Sequence, residues 1–380
     1  MRASPRMSGI AVAGAVVCAT IAVWAGHHKP SAEPHAAPSR PPATQPPAPR
    51  QPADFVPYVN AWADAGDEGD AGGAGGAGYD MAAAAARGVK EFTLGFVVAG
   101  DGCAPVWDGG TPLDDQALEL RIEDVRRTGG EVRISFGGAE GTELATVCTD
   151  VPELASAYAE VIERYQATKV DFDLEGDALV NTEATARRAQ ALALIQRTHE
   201  GLNISYTLPA MPDGLTPQSV AQLEAVKQEG VILSSVNIMA MNYSGDHTGD
   251  MGDYAIQAAT ATQARLREVF GMSDAAAWKM LAVTPMIGVN DVTGEIFTLE
   301  DASGLARFAA DNGIGRLSMW SAERDQPCTP ETSPSAAPTD PTADPTAGTP
   351  GAEQSQNAVP NTRCSGVAQR PGAFEAALRG

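Results

Sequence analysis

Short apolar runs alternate with longer segments of helical spacing along the chain from residue 55 onward. The apolar runs have the length of strands and occupy 55–60, 91–99, 131–137, 169–175, 202–208, 232–241, 279–287 and 314–320. The segments of helical spacing occupy 79–88, 113–128, 151–166, 180–200, 216–229, 252–270, 298–312 and 365–379. Eight strands that alternate with eight helices predict an α/β fold, the (β/α)8 TIM barrel.

A doubly wound open sheet is the competing fold, and it usually carries a Gly-rich phosphate loop directly after its first strand. A glycine-rich stretch does follow the first predicted strand, at 69–78, but it is also rich in Ala and Asp. No G-x-G-x-x-G turn placed directly after the strand leads into a helix. We therefore interpret the stretch as a surface insertion and favour the barrel.

The composition limits the partners of the chain. Its 380 residues are 43% hydrophobic, which is enough for one large core. It has 48 acidic against 26 basic residues, and its formal net charge is -22. Such a surface repels nucleic acid and anionic lipid, whereas a neutral polymer is not repelled. We therefore expect no nucleic-acid partner.

The first 26 residues have the pattern of a targeting segment. Arg2 and Arg6 precede an apolar run from Gly9 to Gly26, and Val23-Trp24-Ala25 offers a cleavage site with a small residue. Cleavage as a signal peptide would give a secreted protein. Retention as an N-terminal anchor would hold the chain at the outer face of the membrane.

Two low-complexity segments divide the rest of the chain. Residues 27–53 are rich in Pro and Ala and predict an extended linker. Residues 329–363 are rich in Pro, Thr and Ala and predict a disordered insertion in a terminal barrel loop. The predicted catalytic barrel therefore comprises 54–328 together with 364–380.

Four cysteines lie outside the targeting segment, an even number that suggests two disulfides in an exported chain. Their order favours the pairs Cys103–Cys148 and Cys328–Cys364, because each pair brackets a neighbouring loop region, although sequence alone leaves the pairing open. No Cys/His spacing typical of zinc is present. The sequence suggests neither a metal site nor an organic cofactor.

The fourth predicted strand carries three carboxylates at alternate positions. Because successive side chains on a strand point to opposite faces, Asp171, Asp173 and Glu175 share the face that points into the barrel. The intervening positions pack against helices and are Val170, Phe172 and Leu174. Three carboxylates that point into a barrel repel one another and lose hydration, which is costly for stability.

An exposed edge strand with a charged outer face is the alternative interpretation, but it would ordinarily mix charge signs and place no glycine directly after the run. Crowding and partial burial are expected to raise the pKa of one carboxyl, so that it can donate a proton near neutral pH. Glu175 is the last of the three, at the C-terminal mouth where barrel enzymes perform their chemistry. It is our candidate proton donor.

At these residues the sequence resembles glycoside hydrolase family 18, the chitinases and their relatives. The family motif on the fourth strand is D-x-x-D-x-D-x-E. Asp171, Asp173 and Glu175 match its last three positions, and Thr168 replaces its first Asp.

Three further family motifs occur in order. Ser135-Phe136-Gly137-Gly138 matches S-x-G-G on the third strand, and Met239-Ala240-Met241-Asn242-Tyr243 stands where the family commonly has M-x-Y-D on the sixth. Trp320 on the last strand matches the Trp that forms the floor of the sugar site. The resemblance spans about 55–328. It implies that substrate contacts Ser135, Gly138, Met239, Asn242, Tyr243 and Trp320. Tyr58, Trp62 and Trp107 are further aromatic candidates for sugar subsites.

The resemblance implies a substrate-assisted retaining mechanism with no metal or cofactor. Glu175 would protonate the leaving oxygen while the N-acetyl oxygen of the sugar attacks its own anomeric carbon. Asp173 would hold the acetamido N–H, and Asp171 would share a proton with Asp173 and hydrogen-bond Ser135. Glu175 would then activate water.

The expected substrate is chitin or a chito-oligosaccharide, and we expect a monomer. Family members with deep clefts carry a small domain between the seventh and eighth strands, for which 288–313 leave no room. This predicts an open groove and cleavage of internal linkages. The segments 92–98 and 318–321 resemble those of actinobacterial secreted chitinases. Two alternatives remain open, an endo-β-N-acetylglucosaminidase and a non-catalytic chitin-binding lectin.

Overall fold

The computed structural model describes residues 51–61, 79–329 and 362–380. The predicted targeting segment, almost all of the predicted linker and most of the predicted Pro/Thr/Ala-rich insertion lie outside these residues. The glycine-rich stretch at 69–78 and the candidate Trp62 also lie outside them. Among the described residues, no helix is long and apolar enough to cross a membrane.

The strands and helices alternate as the sequence predicts. The strands are β1 (Asp54–Phe55), β2 (Tyr58–Asn60), β3 (Glu91–Ala99), β4 (Pro105–Trp107), β5 (Glu131–Gly137), β6 (Lys169–Asp173), β7 (Asn203–Met211), β8 (Gly214–Leu215), β9 (Ser235–Ala240), β10 (Leu281–Pro285), β11 (Gly288–Val289), β12 (Ile296–Phe297) and β13 (Arg316–Leu317). The helices are α1 (Met81–Ala86), α2 (Gln116–Arg127), α3 (Leu144–Val147), α4 (Val151–Arg164), α5 (Gly176–Val180), α6 (Thr182–Thr198), α7 (Pro217–Gln228), α8 (Met251–Phe270), α9 (Asp274–Met280), α10 (Leu299–Asn312) and α11 (Ala373–Arg379).

The main sheet is parallel and closes on itself, in the order β1-β13-β10-β9-β7-β6-β5-β3-β2. β1 and β2 are the two halves of the first predicted strand, separated by Val56 and Pro57. β1 pairs with β13, and β2 pairs with β3. The first strand therefore joins both edges of the sheet, and the predicted TIM barrel is confirmed. Between β10 and β13 the chain forms the β11–β12 hairpin and α10, without a small insertion domain, as predicted.

The helix boundaries follow local capping chemistry. The Thr298 side chain accepts a hydrogen bond from the N–H of Asp301, whose carboxylate in turn accepts from the N–H of Thr298, a capping box that starts α10. The helix ends at Gly313, whose φ of 77° suits a glycine. Because such signals are local, the predicted boundary of 298–312 lies within a residue of the observed one.

The interior of the barrel is polar. On β5, Val132, Ile134 and Phe136 are completely buried in the hydrophobic core, while Arg133 and Ser135 alternate with them on the opposite face. The buried polar residues of these strands, with Ser318 just after β13, are Glu91, Thr93, Arg133, Ser135, Asp171, Asp173, Ser205, Thr207, Asn237, Thr284, Arg316 and Ser318. Most TIM barrels fill this space with branched apolar side chains. Here hydrogen bonds and charge occupy it, so the centre of the fold is available for chemistry.

Both predicted disulfides are present. Cys103, between β3 and β4, pairs with Cys148 at the end of α3. Cys328 pairs with Cys364, which joins the segment after β13 to the segment before α11. This disulfide ties the segment that leads into the last helix to the end of the barrel.

Candidate active site

A cavity of about 240 Å³ opens where the barrel strands end. Its wall includes Tyr58, Phe96, Asp173, Glu175, Met239 and Trp320, which come from five different strands or the residues just after them. The carboxyl ends of barrel strands are where TIM-barrel enzymes place their reacting groups. This cavity is therefore the candidate active site.

Asp171 lies at the floor of this site, completely buried. Its carboxylate accepts hydrogen bonds from the hydroxyls of Tyr58 and Ser135, each at 2.9 Å, and from Thr207 at 2.9 Å. The hydroxyl of Ser205 donates a further hydrogen bond. The predicted contact between Ser135 and Asp171 is thus present. Four hydroxyls from three strands, β2, β5 and β7, hold this carboxylate in one orientation.

Asp173 is one step further along β6, and only 4% of its surface is exposed. Its Oδ1 atom is buried and has no hydrogen-bond partner among the described residues. Burial, followed by the charges of Glu175 and Asp171, raises the pKa of Asp173 well above its usual range. The carboxyl therefore tends to hold a proton, and one of its oxygens can accept a hydrogen bond from a ligand.

Glu175 follows the end of β6 and stands directly before α5. It lines the cavity and is only partly exposed. Burial, together with the charge of Asp291, raises the pKa of Glu175 to about 7. Near neutral pH its carboxyl is therefore divided between the protonated and ionised forms, which suits a group that must donate a proton and then remove one.

An aromatic wall faces these carboxyls. The ring of Trp320 stacks on Phe96, with centroids 5.7 Å apart, and meets the ring of Tyr58 edge-on at 6.0 Å. Trp320 and Phe96 are only half-buried, so part of each ring faces the cavity. Flat apolar faces beside hydrogen-bonding carboxyls suit a ligand with both apolar and polar sides, such as a sugar ring.

Comparison with known proteins supports the same interpretation, although no family model matches the chain. It is 35% identical over 271 residues to a probable bifunctional chitinase/lysozyme of Escherichia coli K12, which covers 67% of this chain and 30% of that protein. It is 34% identical over 262 residues to endochitinase 11 of Metarhizium anisopliae, covering 65% of this chain and 49% of that protein. The chain thus spans less than half the length of these two relatives.

Solved structures extend the likeness over a whole catalytic domain. The catalytic domain of a hyperthermophilic chitinase from Pyrococcus furiosus matches with a TM-score of 0.67 and 29% identity, over 87% of this chain and 96% of that one. A GH18 chitinase from Pseudoalteromonas aurantia shares the fold with a TM-score of 0.51 at 17% identity. In sequence and in fold the chain is similar to chitinases, and its structural neighbours include a glycoside hydrolase family 18 chitinase.

The sequence did not predict one acidic residue of this site. Asp291, in the loop between β11 and β12, lines the cavity and raises the pKa of Glu175 through its charge. Asn242 holds it: the Nδ2 of Asn242 donates to the Asp291 carboxylate at 2.9 Å, and its Oδ1 accepts from the Asp291 N–H at 3.0 Å. In the sequence, Asp291 is marked only by being an acidic residue that follows the seventh predicted strand.

The structure places two predicted contact residues elsewhere. Gly138, with φ of 90°, lies against Phe96, and a Cβ atom there would come within 2.7 Å of its ring. It does not line the cavity. It instead makes room for the aromatic wall, and its N–H donates to the Asp173 carbonyl at 3.0 Å. Ser135 likewise acts through Asp171 rather than at the cavity surface.

Tyr243 also turns away from the cavity. Its ring packs against His247 and Tyr254, with centroids 5.8 Å and 5.9 Å away, and its hydroxyl is buried. Trp107, the other aromatic candidate, is completely buried and donates from its indole nitrogen to Tyr165 at 2.7 Å. Of the predicted contact residues, Met239, Asn242 and Trp320 line the cavity, as does the aromatic candidate Tyr58.

Proposed function

We propose that the chain hydrolyses internal β-1,4 linkages of chitin or chito-oligosaccharides with retention of configuration, and that Glu175 is its general acid and base. One observation carries the proposal. A carboxyl whose pKa is raised to about 7 stands at the mouth of the barrel, next to a buried carboxyl with an unoccupied acceptor atom. That pair matches what an acetamido sugar needs on its reacting side.

In the first step, Glu175 donates its proton to the glycosidic oxygen, and the bond between that oxygen and the anomeric carbon breaks. The acetamido carbonyl oxygen of the same sugar bonds to the anomeric carbon and closes a cyclic oxazolinium ion. In the second step, ionised Glu175 removes a proton from water, whose oxygen attacks the anomeric carbon and opens the ring. Two displacements at one carbon preserve its configuration.

Asp173 positions the acetamido group. Its unpartnered Oδ1 can accept the acetamido N–H, which aims the carbonyl oxygen at the anomeric carbon and stabilises the positive charge that develops. Asp171 lies beneath it, held in one orientation by four hydroxyls. We propose that one proton is shared between these two aspartates before the substrate binds, because two buried neighbouring carboxylates repel each other.

The substrate class follows from this chemistry, since only a sugar with a 2-acetamido group can assist its own cleavage. The face of Trp320 gives such a ring an apolar surface to lie on. Relatives support the class: both curated proteins are named as chitinases, and a structure from the Pyrococcus enzyme is described with chito-oligosaccharides bound.

We further propose internal cleavage in an open groove, export of the chain and a monomeric state. The short connection of β11, β12 and α10 leaves the cavity without an added domain, which supports an open groove and internal cleavage. The pattern of residues 1–26 supports secretion, with anchoring at the outer membrane face as the alternative. The segments 92–98 and 318–321 support a place among the actinobacterial secreted chitinases, and we propose a monomer.

The test is product release from chitohexaose by the parent and by Glu175→Gln. Asp177→Asn serves as the matched control, because it removes an exposed carboxylate two residues away on α5. We expect cleavage by the parent and the control, and a loss of about 10³-fold in kcat for Glu175→Gln. Binding without cleavage by all three proteins would make the chain a lectin. Cleavage of a glycoprotein glycan in place of chitohexaose would make it an endo-β-N-acetylglucosaminidase.

A further inference from the structure

A second cavity, of about 620 Å³, opens at the opposite end of the barrel, where the strands begin. Its wall includes the first residues of β1, β3, β6 and β13, which are Asp54, Glu91, Lys169 and Arg316. We call it the basal cavity. It is separate from the candidate active site, because the two cavities share no lining residue.

The basal cavity is cationic in a strongly acidic protein. Six basic side chains line it, namely Lys90, Arg133, Lys169, Lys279, Arg316 and Arg379. Two carboxylates, Asp54 and Glu91, face them, whereas the whole chain has a formal net charge of -22. This concentration of positive charge on one concave surface creates a local field that attracts anions.

Some of this charge is already paired. Arg133 contacts the Glu91 carboxylate through Nε at 2.9 Å and through its Nη2 at 2.8 Å, and Lys169 contacts the same carboxylate. Arg379 pairs with Glu375 at 2.9 Å. One carboxylate therefore serves two cations at the centre of the cavity, which leaves that cluster with a net positive charge.

Arg316 is the buried cation of this cavity that has no partner among the described residues. It is 7% exposed, and its guanidinium makes no hydrogen bond or ion pair with any residue in the described ranges. Its Nε is buried without a partner. A guanidinium has five N–H donors and no means of shedding its charge, so leaving it buried and unpaired is costly. Asp171 is the carboxylate whose charge acts most strongly on Arg316, but four hydroxyls already donate hydrogen bonds to it.

We propose that the basal cavity binds a small oxyanion of the phosphate or sulfate class, with Arg316 at its base and Lys90 and Lys279 at its rim. The planar fork of a guanidinium matches two oxygens of such an anion, and the two lysines add charge without fixed geometry. Both lysines are exposed and make no hydrogen bond or ion pair within the part of the chain that the structure describes. An anion here would satisfy Arg316 and offset the excess positive charge.

Isothermal titration of the full chain with inorganic phosphate, and separately with sulfate, tests this at constant ionic strength. Three variants accompany the parent. Arg316→Met removes the buried cation, Lys90→Ala with Lys279→Ala removes the exposed rim, and Arg307→Ala removes an exposed cation of α10 that does not line the cavity. Thermal unfolding of each protein with and without the anion shows whether binding stabilises the fold.

We expect saturable binding of one anion per chain, weakened at least about tenfold in Arg316→Met and about two- to fivefold in the double lysine variant. Arg307→Ala should bind like the parent. If Arg316→Met does not fold, the lysine variant decides the question, because its changes are on the surface. Absence of saturable binding, or equal binding by the parent and the lysine variant, would overturn the proposal.

Discussion

The two ends of the barrel bury opposite charges and deal with them in opposite ways. At the mouth, Asp173 and Glu175 escape the cost of burial by taking up protons, which their raised pKa values express. At the base, burial lowers the pKa of Arg316, but a guanidinium does not lose its proton in proteins, so Arg316 cannot do the same. Burial thus produces an acid at one end and a fixed cation at the other.

Asp171 lies between these ends, and hydrogen bonds compensate the burial of its carboxylate. It is the same residue type as Asp173 and lies two positions away on the same strand, yet four hydroxyls donate to it while Asp173 has a buried oxygen without a partner. The hydrogen bonds of Asp171 therefore stabilise the fold, whereas Asp173 has an oxygen that can accept a hydrogen bond from a ligand.

The largest effect is expected for Asp173→Asn. The amide keeps the shape of the side chain but removes the charge that stabilises the cyclic cation, so kcat on chitohexaose should fall by about 10²- to 10³-fold with KM little changed. Steady-state kinetics of the variant against Asp177→Asn measure this. A matching loss for both variants would show that the effect is not specific to the site.

A smaller effect, on stability, should distinguish the two aspartates. Asp171→Asn replaces a charged acceptor of four hydroxyls and should lower the free energy of unfolding by about 2 kcal/mol. Asp173→Asn should be neutral or stabilising at pH 7. The reason is that the raised pKa of Asp173 makes its carboxyl a cost that grows as pH rises above its unfolded pKa. Urea unfolding at pH 7 compares them, and equal losses would remove the distinction.

The smallest effect is expected for Asp291→Asn. Removing this charge should lower the pKa of Glu175, so the alkaline limb of the kcat/KM profile should move to lower pH by a fraction of a unit. The amide can still accept from Asn242, so the loop should keep its place. A profile of the variant that overlies that of the parent would show that Asp291 does not act on the acid.

The barrel and its carboxylate strand could be predicted from the sequence because both depend on local periodicity. The alternation of strand and helix lengths identified the fold, and alternation along β6 placed Asp171 and Asp173 on one face. The order of the cysteines favoured the two disulfide pairs that the structure has. The split of the first strand into β1 and β2 was not predicted, although Pro57, which lacks an N–H, stands at the break.

The structure departs from the expected placement of side chains just beyond the strands, where alternation no longer applies. Tyr243 was expected at the substrate, but the chain turns at Asn242, whose φ is 51°, and the tyrosine ring packs away from the cavity. Asp291 lies far from Glu175 in sequence and reaches it only through a loop, so no spacing rule could have found it. Gly138 was assigned to the substrate, whereas its missing side chain accommodates Phe96.

The central claim is that Glu175 is a carboxyl whose pKa is tuned for proton donation. Titration of 13C-labelled glutamate carboxyl resonances by NMR measures this directly, in the parent and in Glu175→Gln. We predict a resonance with a midpoint near pH 7 that disappears in the variant. Glu323, whose pKa is also raised to about 7, should give a signal present in both proteins. If the resonance that disappears titrates near the ordinary pKa of glutamate, the claim is contradicted.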